Sequence, residues 1–362
     1  MIGDKHYVPI LKGKRAEFDA LRSLDAPTAA KLTPLIEAMP VPWDFENDQP
    51  AKGLEEHLQS LGDALSRAWR QDFPLFVDPL WVPGEATLAN GGLAITYILD
   101  QARDHGVRVV PVTSIGRSDV YQRAVADAIA RDKLGVCIRL GPEDLDDPGA
   151  LQPPLDGLMR TLAVTAADAN LLIDLRSIAE GMAGALALSV ASIVGSLPYV
   201  RQWRSLIVAA SAFPRTLSVV AANSTEAIER TEWLLWRRLR QRADALPRLP
   251  VFSDYVIEHP DLAEDIDPRF LRISAQLRYT SDEEWLILKG RNVRDFGYDQ
   301  FRSLCSTLVG RTEYRGRSFS WGDTYIDDCA HNNDGPGNPT KWRQAGTSHH
   351  LAVVIHQIAN LA

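Results

Sequence analysis

Residues 107–139 read VRVVPVTSIGRSDVYQRAVADAIARDKLGVCIR and hold the repeating unit of the chain. An apolar, β-branched run (107–112) comes first. Ser118 or Asp119 then caps an Ala-rich amphipathic stretch (119–131), and a second apolar run follows (135–139). Apolar runs of this kind, separated by a helix-length crossover, are what parallel strands buried on both faces require.

Moving outward from this unit, the same kind of run recurs at 7–11, 32–37, 75–78, 171–174, 205–210 and 250–254, giving eight in all. Helical periodicity fills the intervals, notably 54–69, 96–105 and 224–246, the last opening S-T-E-A-I-E-R at Ser224. Gly106 stands where a C-terminal glycine cap belongs. The first crossover, 14–25, has room only for a short helix. Eight strand–helix units predict an α/β fold of the (β/α)8, TIM-like barrel type. The competing open doubly wound sheet uses the same alternation. It usually carries a glycine-rich phosphate turn after its first strand, whereas this chain has Lys12-Gly13-Lys14-Arg15 there.

After residue 254 the pattern changes. A hairpin is expected from 270–279 and 284–288, a helix over 298–308, a polar loop over 327–338 and a terminal helix over 348–361. The expected organisation is a barrel over 1–262 and an extension over 263–362 that packs on it and contributes to the same site. The extension is too rich in Trp, Tyr and Ile to be a linker.

With 45% hydrophobic and 24% charged residues, the 362-residue chain has material for a large core. A net charge of -8 argues against a protein that coats nucleic acid over its whole surface. No apolar window of membrane-spanning length and no leader-type segment is seen, so a cytoplasmic protein without a membrane partner is expected. Cys137, Cys305 and Cys329 form no C-x-x-C pair, and Cys137 reads as a buried small hydrophobe.

In such a barrel the site lies at the carboxyl ends of the strands. Reading those ends gives Lys12 and Lys14, Glu37, Asp78, Thr113 and Ser114, Arg139, Asp174 and Arg176, Ser211, then Asp254 and Tyr255. Four acids directly follow apolar runs, in L-I-E, F-V-D, L-I-D and F-S-D. Burying four acids at one mouth demands counter-charge. The cations available are Lys12, Arg139, Arg176 and a divalent metal. Hard oxygen donors suit Mg2+ or Mn2+, for which Glu37, Asp78 and Asp174 are the expected ligands. His6, His57, His105 and His259 are read as lying away from the site, which disfavours a His-rich metallohydrolase.

In the extension, Gly337-Asn338-Pro339-Thr340-Lys341-Trp342-Arg343 leads to Gly346-Thr347-Ser348-His349-His350. Taking Thr347 or Ser348 as the cap puts both histidines in the first turn of the last helix. With Lys341 and Arg343 alongside, that end would suit an anion. Residues 289–317 carry seven basic and three acidic side chains, an excess of +4, interleaved with Phe296, Tyr298, Phe301 and Tyr314, so nucleic acid is one conceivable partner there.

Tyr7-Val-Pro-Ile-Leu-Lys-Gly-Lys-Arg-Ala-Glu17, Leu32-Thr-Pro-Leu-Ile-Glu37, Phe76-Val-Asp78 and Trp342-Arg343-x-x-Gly346-Thr347-x-His349-His350 together resemble the bacteriophage T4 beta-protein family over almost the whole chain. The resemblance implies association with phages, prophages or antiviral defence loci, and that both chain ends belong to one domain. It also strengthens the expectation that Lys12, Glu37, Asp78, Arg343, His349 and His350 are functional. The resulting expectation is a hydrolase or lyase acting on a phosphate-bearing small molecule or nucleic-acid component. Glu37, Asp78, Asp174, His349 and His350 would act on the substrate, and Lys12, Lys14, Arg139, Arg176, Asp254, Trp342 and Arg343 would bind it. The alternative is a non-catalytic sensor or scaffold of a phage-defence complex, binding a protein or nucleic-acid trigger.

Overall fold

The computed structural model describes residues 2–83, 86–263, 267 and 269–361. Its strands are β1 (Tyr7–Lys12), β2 (Leu35–Glu37), the ribbon β3 (Trp43–Asp44) and β4 (Gln49–Pro50), β5 (Leu75–Asp78), β6 (Val109–Thr113) and β7 (Val136–Leu140). Next come β8 (Ala169–Ser177), β9 (Ser205–Ser211), β10 (Ser224–Glu229), β11 (Val251–Asp254), β12 (Ser274–Thr280) and β13 (Glu284–Asn292). Eight of them close a parallel barrel in the order β1-β11-β9-β8-β7-β6-β5-β2. Helices cover its outside, so the fold is the expected (β/α)8 barrel.

Strand parity sorts the barrel side chains. Val8, Ile10, Leu35, Phe76, Val112, Cys137, Leu172, Ile207 and Val251 fill the interior, and their sequence neighbours face the helices. Cys137 is fully buried and its thiol is pushed up by that burial, consistent with a small hydrophobe. Ser118 caps the helix Asp119–Asp132, and Gly106, at φ 71, follows the helix Ala94–Asp104. No helix among the described residues is long and apolar enough to cross a membrane.

Three expectations fail here. The stretch opening at Ser224 begins as a strand, and only Thr231–Arg240 is helical. Its N–H and C=O groups pair antiparallel with β13, with Ile228 opposite Trp285, so tertiary pairing overrides a helix-like opening. The stretch 327–338 is a loop only in its second part, because the helix Trp321–Ala330, capped by Ser320, precedes it. The terminal helix starts a full nine residues early, spanning Pro339–Asn360. Asn338 accepts from the Lys341 N–H and Pro339 sits at the first helical position, a start signal that the Thr347–Ser348 reading passed over. His349 and His350 are therefore mid-helix and fully buried.

That helix changes the meaning of the extension. Its first half adds Trp342 and Ala345 to a separate core with Leu277, Tyr279, Leu288 and Phe301, where Phe301 and Trp342 stack at 4.6 Å. Its second half adds Leu351, Val354, Ile355 and Ile358 to the shell between barrel and helices. The last helix is thus the eighth barrel helix, and residues 263–338 are an insertion between it and β11. The inserted sheet, in the order β10-β13-β12, takes one strand from within 1–262, so the boundary drawn at 262 does not separate two folding units.

Two helical glycines make opposite stability predictions. A Cβ on Gly322 would lie 2.1 Å from the Ala345 carbonyl oxygen, since two helices meet there backbone to backbone. A Cβ on Gly157, in the helix Gln152–Leu162, would meet only the Arg160 Nη2 at 3.9 Å, an ordinary contact. In urea unfolding, Gly322→Ala should destabilise by more than about 2 kcal/mol, while Gly157→Ala should stabilise by about 0.5–1 kcal/mol.

Glu17, in the helix Arg15–Arg22, is buried and neither carboxyl oxygen has a hydrogen-bond partner among the described residues. Burial and the neighbouring Glu258 push it up to about 7. The folded chain therefore keeps this proton when the unfolded chain releases it, and stability falls as pH rises from about 4.5 to 7. Glu17→Gln should leave stability near that of wild type at pH 4 and raise it by roughly 3 kcal/mol at pH 8.

Candidate functional site at the barrel mouth

The inward-facing residue at the carboxyl end of each of several strands reaches a common point. Lys12 is level with Glu37, and Glu37 with Asp78, along β1, β2 and β5. Across the barrel stand Arg139 on β7 and Asp174 on β8, with Tyr255 one residue past β11.

Arg139 is the hub. Its Nη2 donates to Glu37 Oε1 at 2.8 Å, to Asp174 Oδ2 at 2.6 Å and to the Tyr255 oxygen at 2.7 Å. Nη1 donates to Asp78 Oδ2 at 2.7 Å and Nε to Asp174 Oδ2 at 2.9 Å. The other carboxylate oxygens are also taken: Glu37 Oε2 by the Trp81 indole (2.9 Å), Asp78 Oδ1 by Arg117 (2.7 Å) and Asp174 Oδ1 by the Arg176 N–H (3.0 Å). The Tyr255 hydroxyl donates to Asp174 Oδ2 at 2.6 Å. All six carboxylate oxygens therefore accept at least one hydrogen bond.

Burial disfavours the charged guanidinium of Arg139, but the Tyr255 oxygen and the three carboxylates outweigh it and hold the proton well above the ordinary arginine range. Burial, with Asp174 and Glu37 nearby, pushes the Tyr255 hydroxyl far up, although Arg139 and Arg176 oppose this.

Above this buried layer lies a half-exposed one. The Arg176 guanidinium sits 5.4 Å over Trp81 and 5.9 Å over Tyr255, bonds Asp261 at 2.8 Å and comes within 4.0 Å of Glu37. Its backbone is left-handed, at φ 57, beyond a register shift in β8. Val256, next to Tyr255, has φ 59, an uncommon conformation for a β-branched residue. In both places an Asp Oδ1 accepts the N–H two residues on, Asp174 from Arg176 and Asp254 from Val256, both at 3.0 Å. Backbone strain of this kind gathers at functional sites. Lys12 donates to the carbonyls of His259 (2.9 Å) and Asp261 (2.5 Å), and burial lowers its ammonium below the ordinary lysine range.

The structure thus brings together Lys12, Glu37, Asp78, Arg139, Asp174 and Arg176. Sequence reading overlooked Trp81, Arg117, His259 and Asp261, which come from loops just past strand ends. His259, read as remote, is at the rim, where its Nδ1 accepts from the Asp261 N–H and its Nε2 donates to Ser177 Oγ.

Other expected site residues lie elsewhere. Asp254 has the outward parity of Phe252, so it faces the helical shell. There it accepts from the Tyr7 hydroxyl and from His350 Nε2 at 2.9 Å. Burial would raise its carboxyl, but His350, Tyr7 and Arg230 outweigh that and hold it below the usual range; burial likewise lowers His350. His350 Nδ1 meets Thr280 Oγ1 at 2.9 Å. His349 Nε2 donates to the Thr280 carbonyl and Nδ1 pairs with Asp323, both at 2.8 Å. The two rings form an internal polar seam between barrel and insertion, not an anion site at a helix start. Lys14 lies within electrostatic range of Glu17 and Glu258. Trp342 packs in the insertion core, and Arg343 pairs with Glu258. Thr113 turns outward to Gln122 at 2.8 Å.

The expected metal does not fit the acids as they stand. Arg139 occupies the point between Glu37, Asp78 and Asp174, and among the described residues no group of three or more His, Cys, Asp or Glu side chains is disposed to hold a metal ion. The basic stretch 289–317 is largely engaged: Lys289 donates to Leu217 and Val220 carbonyls, and Arg311, Arg315 and Arg317 pair with Glu313, Asp282 and Asp328.

Comparison with known proteins adds the following. Solved structures similar to this chain include mutant forms of the tryptophan synthase alpha-subunit from the hyperthermophile Pyrococcus furiosus. Two match at 11% identity with TM-scores of 0.40 and 0.41, and a third at 12% with 0.37, each covering 71% of this chain and 90% of that one. No curated protein matches significantly. A family model described as Beta protein matches residues 7–356, nearly the full length, and the chain accordingly belongs to the Beta protein family.

Proposed function

We propose that the barrel mouth is the active site of a hydrolase or lyase acting on a phosphate-bearing small molecule, in a phage- or defence-associated setting. The observation that carries this reading is the two-layered mouth: a fully hydrogen-bonded acid cluster around Arg139, topped by cations from two strand ends and a loop. A barrel gains little stability by burying such a network in place of apolar side chains, so its presence asks for another reason.

In this reading Arg117, Arg176 and Lys12 receive the phosphate, as forked or point-charge donors that complement an oxyanion. Asp261 holds the Arg176 fork in the free protein and yields to the substrate. Glu37, in the buried layer 4.0 Å from Arg176, acts as the general base. Tyr255, donating to Asp174, supplies the proton to the leaving group. Arg139 keeps the three acids in place without touching the substrate.

The rival reading is a non-catalytic sensor or scaffold of a defence complex. Its support is an exposed aromatic rim where Arg291 stacks 3.8 Å over Phe296 and Tyr298 stands nearby in sequence. A screen of phosphate-bearing metabolites, nucleotides and oligonucleotides separates the two. Turnover supports the enzyme; salt-sensitive oligonucleotide binding without turnover supports the sensor.

On any substrate turned over, Arg176→Met should lower kcat/KM by about 100-fold or more. Its thermal midpoint should barely move, because the partner left behind, Asp261, is solvated. Glu37→Gln should lower kcat by about 100-fold or more. Full activity in Arg176→Met would rule out this assignment.

A further inference from the structure

The insertion and the elements beside it line a cavity of about 490 Å3, on residues apart from those of the barrel mouth. Its walls come from β12, β13, the segment 216–218 and the start of the terminal helix. Apolar contact is offered by Leu217, Leu271, Ile273, Val293, Phe301 and Trp342. Cationic contact is offered by Arg272, Arg278, Lys289 and Arg343, and among the described residues no lining side chain is acidic. In a chain of net charge -8, four cations around one cavity amount to a selective concentration of positive charge.

The cations are held in place from behind. Arg278 Nη1 donates to the Ile257 carbonyl at 2.7 Å and to Glu258 Oε1 at 2.8 Å, and Arg343 Nη1 pairs with the same Glu258 oxygen. Burial would raise Glu258, but Arg343 and Arg278 outweigh it and hold the carboxyl down to about 2. Each guanidinium spends only Nη1 in these contacts. The Nε and Nη2 donors of both make no hydrogen bond among the described residues. Lys289 is fixed at the wall by the Leu217 and Val220 carbonyls, both at 2.7 Å, and exposed Arg272 stands at the rim. Arg278 also lies 4.9 Å over the Phe213 ring, so both cavity-lining guanidiniums are anchored while keeping unspent N–H donors, the ingredients of a preorganised anion clamp. The volume falls within the range of small-molecule sites, and the apolar wall suits a flat body.

We propose that this cavity binds an amphipathic organic oxyanion, a flat apolar body carrying one phosphate or carboxylate, with Arg278 and Arg343 as the clamp. The flat body lies against the Trp342–Phe301 side, and the oxyanion meets the free guanidinium donors. Arg272 draws the anion in at the rim. The site stands on residues other than those of the mouth, so it holds whether or not the mouth is catalytic.

The test is isothermal titration of the full-length protein at low ionic strength. Adenosine 5′-monophosphate and indole-3-acetate serve as the phosphate and carboxylate probes, with adenosine and indole as neutral counterparts. At least one oxyanion should bind with a Kd below about 1 mM, and at least about tenfold more tightly than its neutral counterpart. Arg343→Met should weaken that binding by about tenfold or more. Arg272→Glu, at an exposed position that cannot disturb folding, should weaken it about threefold or more with an unchanged thermal midpoint. Arg176→Met should leave the affinity as it is. No binding of either oxyanion at about 5 mM, equal binding of the neutral compounds, or unaltered affinity in Arg272→Glu would each overturn the proposal. So would loss of binding in Arg176→Met, which would place the ligand in the mouth.

Discussion

One guanidinium holds the carboxyl end of this barrel together. Arg139 bonds Glu37, Asp78, Asp174 and Tyr255 at 2.6–2.9 Å, and those four side chains come from four different strands or their ends. Three carboxylates packed this closely repel one another and cannot stay buried and charged without a cation at their centre. The rest of the mouth follows from that constraint. Trp81, Arg117 and the Arg176 backbone take the oxygens that Arg139 leaves, and Arg176 is thereby fixed over the cluster with its guanidinium above the Trp81 and Tyr255 rings.

A second constraint is geometric. A closed eight-stranded barrel needs an eighth helix, and here that helix arrives only after the inserted sheet and its helices. The helix Pro339–Asn360 therefore serves two cores, and its polar residues sit where the two meet. His349 faces Asp323 and the Thr280 carbonyl in the insertion, while His350 reaches Asp254 of the barrel. Buried polar groups fully satisfied in this way specify one docking arrangement between two layers. The Trp-Arg and His-His residues of the C-terminal motif thus act on different things: the first pair lines the insertion cavity, and the second joins the insertion to the barrel.

The sequence disclosed the barrel because strand and helix periods differ and alternate regularly. It disclosed Lys12, Glu37, Asp78, Arg139, Asp174 and Arg176 because an acid or cation directly after an apolar run has few places to go except a strand end. Asp254 shows where this reasoning stops. It too follows an apolar run, yet it shares the parity of Phe252 and so points away from the lumen, while Tyr255 points in. That alternation was legible in V-F-S-D-Y but outweighed by the likeness of F-S-D to the other three ends. The Ser224 segment was illegible for a different reason: its strand state depends on β13, some sixty residues later. Trp81, Arg117 and Asp261 lie in loops, where no period marks which side chain turns inward. The histidine pair was misplaced because Thr347-Ser348 resembles a cap, although Asn338-Pro339 is the stronger start signal.

The most direct test of the central claim is the unfolding free energy of Arg139→Met at pH 7. Removing the guanidinium leaves three buried carboxylates without their cation, so the variant should lose about 3–5 kcal/mol at pH 7. A variant as stable as wild type would contradict the account.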